Sequence, residues 1–283
     1  MPGYLYSSGT FKKKFINNVN SMENLIKHIR PFILRRNKKD VIDELPQKIE
    51  RKLYIELSNE QKKVYSTYIK NIQDKMENSK NDKITVFSYL TKLRQLCLDP
   101  SVIIDNYKGN SSKIVEAIKL VKEYIHEGHK ILLFSQFTSV IKNIRKKLDL
   151  EKINYKYLDG QTKASQRLKI VSDFNKSNDC NLFLISLKAG GSGLNLTSAD
   201  IVIHFDPWWN PSIENQASDR AHRIGQKNVV KVLKLIAKGT IEEKIVLLQE
   251  EKSKLIGEVL DNDYESSNIL STLTDDELKE LFY

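Results

Sequence analysis

Up to about residue 99 apolar residues recur at helical spacing, and from about residue 111 short apolar runs alternate with helical stretches. Tyr65, Tyr68, Ile69, Ile72 and Met76 fall on one face of a helix that starts at Ser58. Ser58 and Gln61 stand in capping-box order, the hydroxyl accepting from the N–H of Gln61 and the glutamine reaching back. Phe87, Leu90, Leu93 and Leu96 predict a second helix, stopped at Asp99-Pro100 because a residue before proline is pushed out of the helical region. Residues 52–57 alternate like a strand.

The second part reads as helix and strand in turn. A helix through Ile114, Ile118, Val121 and Ile125 ends at Gly128, which can take the left-handed cap. Strands are expected at 131–134, 155–158, 182–186, 201–205 and 229–236, with helices through Val140, Ile144 and Leu148 and over 166–174. Asn210 and Pro211 suit the N-cap and first turn of a helix expected to run to Gly225. Thr240 and Glu243 cap a closing helix that reaches about residue 260. Short apolar strands between amphipathic helices call for an α/β fold, a parallel sheet covered by helices on both faces. The tail, 262–283, begins polar and ends in a short acidic amphipathic helix around 273–282.

Composition narrows the class. Of 283 residues, 40% are apolar and 29% charged, as in a soluble globular protein. The apolar runs 131–134 and 201–205 are too short to span a bilayer, and Lys12, Lys13 and Lys14 lead into polar Asn17 and Asn18 rather than a secretory core. Cys97 and Cys180 have no metal-ligand spacing around them and read as buried hydrophobes of an intracellular chain. The net charge of +10 favours a polyanionic partner, but a Lys-, Asn- and Ile-rich composition accounts for it equally.

In doubly wound sheets ligands bind at the carboxyl ends of the strands. Three loops there stand out: 135–138, starting Ser135-Gln136; 187–196, with Lys188, Gly190, Gly191 and Gly193; and 206–211, with Trp208 and Trp209 between Asp206-Pro207 and Asn210-Pro211. The glycine loop is not of the Walker type, because no Gly-Lys-Ser/Thr occurs in the chain, and it lacks the third glycine of a dinucleotide fingerprint. It remains a run of amides beside Lys188 able to approach a phosphate chain, or a structural tight turn. The tryptophans read either as a core plug or as an exposed indole able to pack on nucleic acid.

On a continuous helix over 216–225, Gln216, Arg220 and Arg223 share one face. Two guanidiniums on one face suit a triphosphate whose charge develops during hydrolysis. By spacing alone the simpler account is a solvated basic face, ion-paired to Asp219 or Glu214. His222 reads as structural, and no cluster suggests a metal site. Residues 41–46 superficially resemble a metal-binding Asp-Glu strand end, but the charged run ahead of them, Arg35, Arg36, Lys38 and Lys39, cannot form a buried strand.

Taken in order, these segments resemble the Swi/Snf-type ATPases of helicase superfamily two. Phe32-Ile33-Leu34-Arg35-Arg36 and Leu45-Pro46-Gln47-Lys48 resemble the junction of the two motor lobes, and Leu93-Arg94-Gln95-Leu96-Cys97 the helical insertion. Phe134-Ser135-Gln136-Phe137 is similar to motif IV, 185–196 to motif V, and 206–211 with 216–226 to the motif VI region. The resemblance implies a RecA-like helicase C-terminal lobe over 111–260, a strand plus helical insertion over 46–110, the end of a first lobe and the junction over 1–45, and a tail over 261–283. It also implies that the chain is part of a longer protein.

On that basis Arg220 and Arg223, supported by Gln216, are arginine fingers reaching ATP, with Gly193 and Asp219 beside the nucleotide. Ser135, Gln136, Lys188, Gly190 and Gly191 grip the phosphates of one DNA strand, and Trp209 faces DNA. ATP with Mg is held mainly by the first lobe, which is a partner together with double-stranded DNA; no membrane is involved, and protein partners such as RNA polymerase stay open. The expected place is the bacterial cytoplasm and nucleoid, or the nucleus of a eukaryote. The expected function is one lobe of an ATP-dependent duplex translocase, unable to hydrolyse ATP alone. A non-catalytic binding module and a strand-separating helicase are the alternatives.

Overall fold

The strands Ile131–Ser135, Leu182–Ser186 and Ile201–His204 are buried at every position, which a sheet covered on both faces permits and a half-solvated one does not. The computed structural model, which describes residues 4–16, 25, 45–78, 83–190, 193–259 and 275–283, places them in a six-stranded parallel sheet. In chain order the elements are β1 (Lys48–Ile55), α1 (Asn59–Asn78), α2 (Lys83–Leu98), α3 (Ser112–His126), β2 (Ile131–Ser135), α4 (Thr138–Leu150), β3 (Tyr155–Leu158), α5 (Ala164–Lys176), β4 (Leu182–Ser186), β5 (Ile201–His204), α6 (Pro211–Ser218), β6 (Val230–Ala237), α7 (Ile241–Val259) and α8 (Asp275–Glu280). The strand order is β1-β6-β5-β2-β4-β3.

Side chains alternate across each strand, so the sheet feeds two layers. Ile131, Leu133, Leu184 and Ile203 meet Ile114 and Ile118 of α3 and Val140 and Ile144 of α4. Leu132, Phe134, Phe183 and Ile185 meet Val171 and Phe174 of α5 on the other side. β1 precedes the helical insertion, yet it pairs with β6 from Lys48 beside Val230 to Ile55 beside Ala237. The insertion, α1 and α2, therefore leaves from the sheet's edge strand. Its Leu90, Leu93 and Leu96 pack with Ile241 and Ile245 of α7 and with Leu278, Leu281 and Phe282 of the tail. Gln73 clamps that tail by donating to the Phe282 carbonyl at 2.6 Å.

Residues 1–44 with 252–264 form one compact unit, and 45–251 with 265–283 the other. In the first, Phe15 is buried and its ring lies 5.2 Å from that of Phe11. The sheet and the insertion belong to the second. Residues 41–44, part of the segment that superficially resembles a metal-binding strand end, lie outside the described residues.

Two local expectations give way to tertiary contacts. The Gln61 N–H donates to Ser58 Oγ at 3.2 Å, but the Gln61 side chain does not reach back. It is buried between segments, donating to the carbonyls of Leu96 and Cys97 and accepting from the Ser112 N–H, while the Ser112 hydroxyl takes the Ser58 N–H. The second correction concerns the helix begun at Pro211, which ends at Ser218 and not at Gly225. Asn210 caps its start as expected, Oδ1 accepting from the Ser212 N–H at 2.9 Å. Past Ser218 the carbonyls are claimed from outside the helix: Arg220 O accepts from the Leu196 N–H at 3.0 Å and Ala221 O from the Gln226 amide at 3.2 Å. Residues 219–225 are therefore a loop of turns, and Gln216, Arg220 and Arg223 do not share a helical face.

Candidate functional site

Because β5, β2 and β4 are neighbours, the three loops singled out by the sequence leave the same edge of the sheet. The Phe205 N–H donates to Phe134 O at 2.9 Å, continuing the β2–β5 contact past the strands. Asp206, buried just beyond β5, then accepts the Gln136 N–H at 3.2 Å and a hydrogen bond from the Ser135 hydroxyl. Ser135 is thus turned inward, and its predicted grip on a phosphate is not available to the side chain in this arrangement. Gln136 stays half-buried, with its Nε2 buried and without a hydrogen-bond partner among the described residues.

Arg94, on α2, ties the insertion to this edge. It is 3% exposed, lies 3.5 Å from the Asp206 carboxylate and donates to the Pro207 carbonyl. Its guanidinium also sits over the rings of Phe137, at 5.4 Å, and Trp209, at 5.7 Å. Burial pushes the Asp206 carboxyl up to about 6, with Arg94 and the Ser135 hydroxyl opposing the rise. The sequence held a signal for this role: Arg94 falls four after Leu90 and three before Cys97, a charge on the buried face of an apolar helix.

Trp209 corrects another expectation. Its indole is 7% exposed and packs in the insertion cluster with Leu93, Leu96 and Ile241, the core plug that the sequence also allowed, rather than standing exposed. The cause is the adjacent insertion, whose apolar face needs a large partner. Trp208 is half-buried, and its backbone N–H donates to the buried Glu214 carboxylate at 2.6 Å.

The glycine loop opens with a helical turn, Leu187–Gly190, and resumes at Gly193, where φ is +46°. Gly191 lies outside the described residues, and Lys188 and Gly190 are described in their backbone alone. The loop then runs toward the amino end of β5, where Leu196 and Ala199 hold the arginine loop: Leu196 donates to Arg220 O, and Ala199 O accepts the Gln226 amide at 2.7 Å. One segment thus connects the glycine turn to the arginines.

Arg220 is half-buried and Arg223 exposed. Burial and the neighbouring Arg223 charge make the Arg220 guanidinium a weaker base, with Asp219 opposing. Glu214, the other acid considered as their partner, is instead committed to Lys234 at 3.0 Å. Gln216 is exposed on α6, one turn before the loop. Behind the loop, His204 is buried, stacked on Phe134 at 5.7 Å, and its Nε2 lies 2.8 Å from Ser218 Oγ. Burial pushes His204 down to about 4, so it is neutral at physiological pH. The sequence offered no sign of this role beyond a histidine at a strand end. Among the described residues no group of His, Cys, Asp and Glu could hold a metal, and no helix is long and apolar enough to cross a membrane.

A family model for the helicase conserved C-terminal domain matches residues 112–225, and one for the SNF2-related domain matches residues 1–102. The chain is 38% identical to an uncharacterized ATP-dependent helicase of Mycoplasma genitalium over 288 residues, covering 100% of this chain and 27% of that protein. It spans 27%, 27% and 32% of the length of three bacterial relatives it matches. Among solved structures, the Sulfolobus solfataricus SWI2/SNF2 ATPase core in complex with dsDNA is 34% identical, with a TM-score of 0.70 over 99% of this chain and 61% of that one. The Sulfolobus solfataricus SWI2/SNF2 ATPase C-terminal domain is 31% identical, with a TM-score of 0.67 over 83% of this chain and 98% of that one. With that domain matched along nearly its whole length and the sheet, insertion and ordered motifs in place, the chain belongs to the SWI2/SNF2 family of helicase-related ATPases and carries the family's RecA-like C-terminal lobe.

Proposed function

We propose that this chain works as the second lobe of an ATP-driven translocase on double-stranded DNA. Arg220 and Arg223 meet the phosphates of an ATP–Mg complex held by the first lobe, with Gln216, Asp219 and Gly193 around them. The observation that carries this reading is the crowding of a half-buried and an exposed guanidinium on one short loop. Two like charges held together are relieved by an anion, and a triphosphate gaining charge during hydrolysis relieves them most at the transition state. Gln136, Lys188 and the amides of Gly190 and Gly191 follow the backbone of one DNA strand from the neighbouring edge. The SWI2/SNF2 core solved with dsDNA supports duplex as the partner. Ser135 and Trp209 are left out, since both side chains are turned inward. The working compartment is the one that holds DNA, bacterial cytoplasm or eukaryotic nucleus.

The sequence has no Gly-Lys-Ser/Thr loop, so the chain alone is expected not to hydrolyse ATP. In the intact protein, Arg220→Ala is expected to lower the DNA-stimulated kcat by about a thousandfold or more, the scale of an arginine finger, while duplex binding persists. An unchanged kcat would refute the assignment. On the same protein a triplex-displacement assay is expected to show translocation and a strand-displacement assay no unwinding.

A further inference from the structure

Among the described residues, three side chains anchor the arginine loop, 219–225, beside the Leu196 N–H that donates to Arg220 O. At its start the buried Ser218 hydroxyl lies 2.8 Å from His204 Nε2 and donates to Glu214 O at 3.1 Å. At its end the Gln226 side chain donates to Ala199 O and Ala221 O and accepts the N–H groups of Lys227 and Asn228. Gly225 makes the final turn at φ +101°, a conformation that side-chain-bearing residues rarely adopt. Both of these anchors lie inside the sheet's own body.

The third anchor reaches elsewhere. His222 Nε2 lies 2.7 Å from the carbonyl oxygen of Pro46. A carbonyl has no proton to give, so the histidine donates. Pro46 is the second residue after the boundary at which the chain passes from the compact unit ending at Glu44 into the one starting at Leu45. The next carbonyl, of Gln47, already accepts from the Val230 N–H at 3.0 Å, so position 46 is the last before the β1–β6 ladder takes over the backbone. The proline ring fixes φ at this position. On the loop, Arg223, Ile224 and Gly225 are all exposed and bring little packing of their own.

We infer that His222 is a positioning residue, which clamps the arginine loop to the point where the chain enters the sheet and passes displacements of that entry to Arg220 and Arg223. The inference rests on the proposed role of the two arginines in meeting nucleotide. It gives the family's lobe a direct tether between the segment ahead of β1 and the groups that complete an ATP site, without a ligand contact by His222 itself.

The test uses the intact protein with two variants, His222→Phe, which keeps a flat ring and loses the donor, and His222→Gln, which restores an N–H. Amide hydrogen exchange and steady-state ATP hydrolysis at saturating duplex DNA are measured on both. His222→Phe is expected to speed exchange across 219–226 by about fivefold to tenfold, the scale of one hydrogen bond. It is expected to lower kcat by a comparable factor, with KM for ATP and duplex affinity held within about twofold. His222→Gln is expected to recover part of both. Unchanged exchange, or faster exchange with unchanged kcat, overturns the inference, as does a fall in duplex affinity equal to the fall in kcat. Arg220→Ala in parallel separates the causes. If kcat is insensitive to Arg220→Ala, the proposed function fails and takes the inference with it; if kcat responds to Arg220→Ala but not to His222→Phe, the inference alone fails.

Discussion

Replacing Arg94 by methionine removes one member of a buried ion pair and keeps most of the side chain's volume. The guanidinium lies 3.5 Å from the Asp206 carboxylate, and at an effective dielectric of about 20 two unit charges at that distance attract by about 5 kcal/mol. Desolvating the arginine costs part of that sum, and methionine does not repeat the cost. What remains is an uncompensated buried carboxylate, for which breaking one partner of such a pair costs about 3–5 kcal/mol. Stacking on Phe137 and Trp209 adds about 0.5–2 kcal/mol in total. The expected loss for Arg94→Met is therefore about 4 kcal/mol at pH 8, read as the fall in unfolding free energy from urea titration followed by circular dichroism. The loss depends on pH with a definite sign. Asp206 already titrates near 6 with Arg94 present, and removing the cation raises it further. Below that value the carboxyl is protonated and needs no partner, so the loss shrinks at pH 5.5. Asp206→Asn in the Arg94→Met background should recover about half of the loss or more, because the buried charge is gone. A loss below about 1 kcal/mol, an equal loss at both pH values, or no recovery in the double variant would each refute the view that this pair locks the insertion to the loop edge.

Two further outcomes follow from burial. His204 titrates near 4 when folded against 6.5 when free, so it contributes about 3 kcal/mol that is present above pH 6.5 and is lost as pH falls toward 4. Asp206 gains stability over nearly the same fall and offsets this loss, so His204→Phe should gain stability relative to the wild-type chain as pH drops; parallel pH profiles for the two proteins would contradict this. Phe282 is fully buried against the insertion and α7, and Phe282→Ala should cost about 3 kcal/mol, measured by thermal or urea unfolding. A cost under about 0.5 kcal/mol would mean that the tail does not dock.

The six strands and their helices were legible in the sequence because each carries its own period and stops at its own Gly, Pro or cap. Gly128 ends α3 at φ +83°, Asn210 caps α6, and the apolar runs 131–134, 182–186 and 201–205 mark the central strands within a residue. The motif order pointed to the family for the same reason, since it is written in consecutive residues. What failed were inferences that carried a local pattern across a tertiary contact. The 216–225 stretch has helical composition, but Leu196 and Gln226 capture its carbonyls and turn it into a loop. The Ser58–Gln61 pair has capping-box spacing, but Gln61 serves three other backbone groups that lie far away in sequence. Trp209 sits between prolines as an exposed residue would, yet the insertion's apolar face covers it.

The sequence by itself determined the α/β class, the strand and helix order, the absence of a Walker loop and the family, because all of these are properties of nearest neighbours and their spacing. Only the tertiary structure decided that β1 joins β6 across the whole insertion, that Arg94 reaches Asp206, that His222 grips Pro46 and that the tail returns to the insertion. Each of those contacts joins residues far apart in the chain. Their energy comes from burial and from hydrogen bonds made in a dry interior, and neither has a period that a sequence can display.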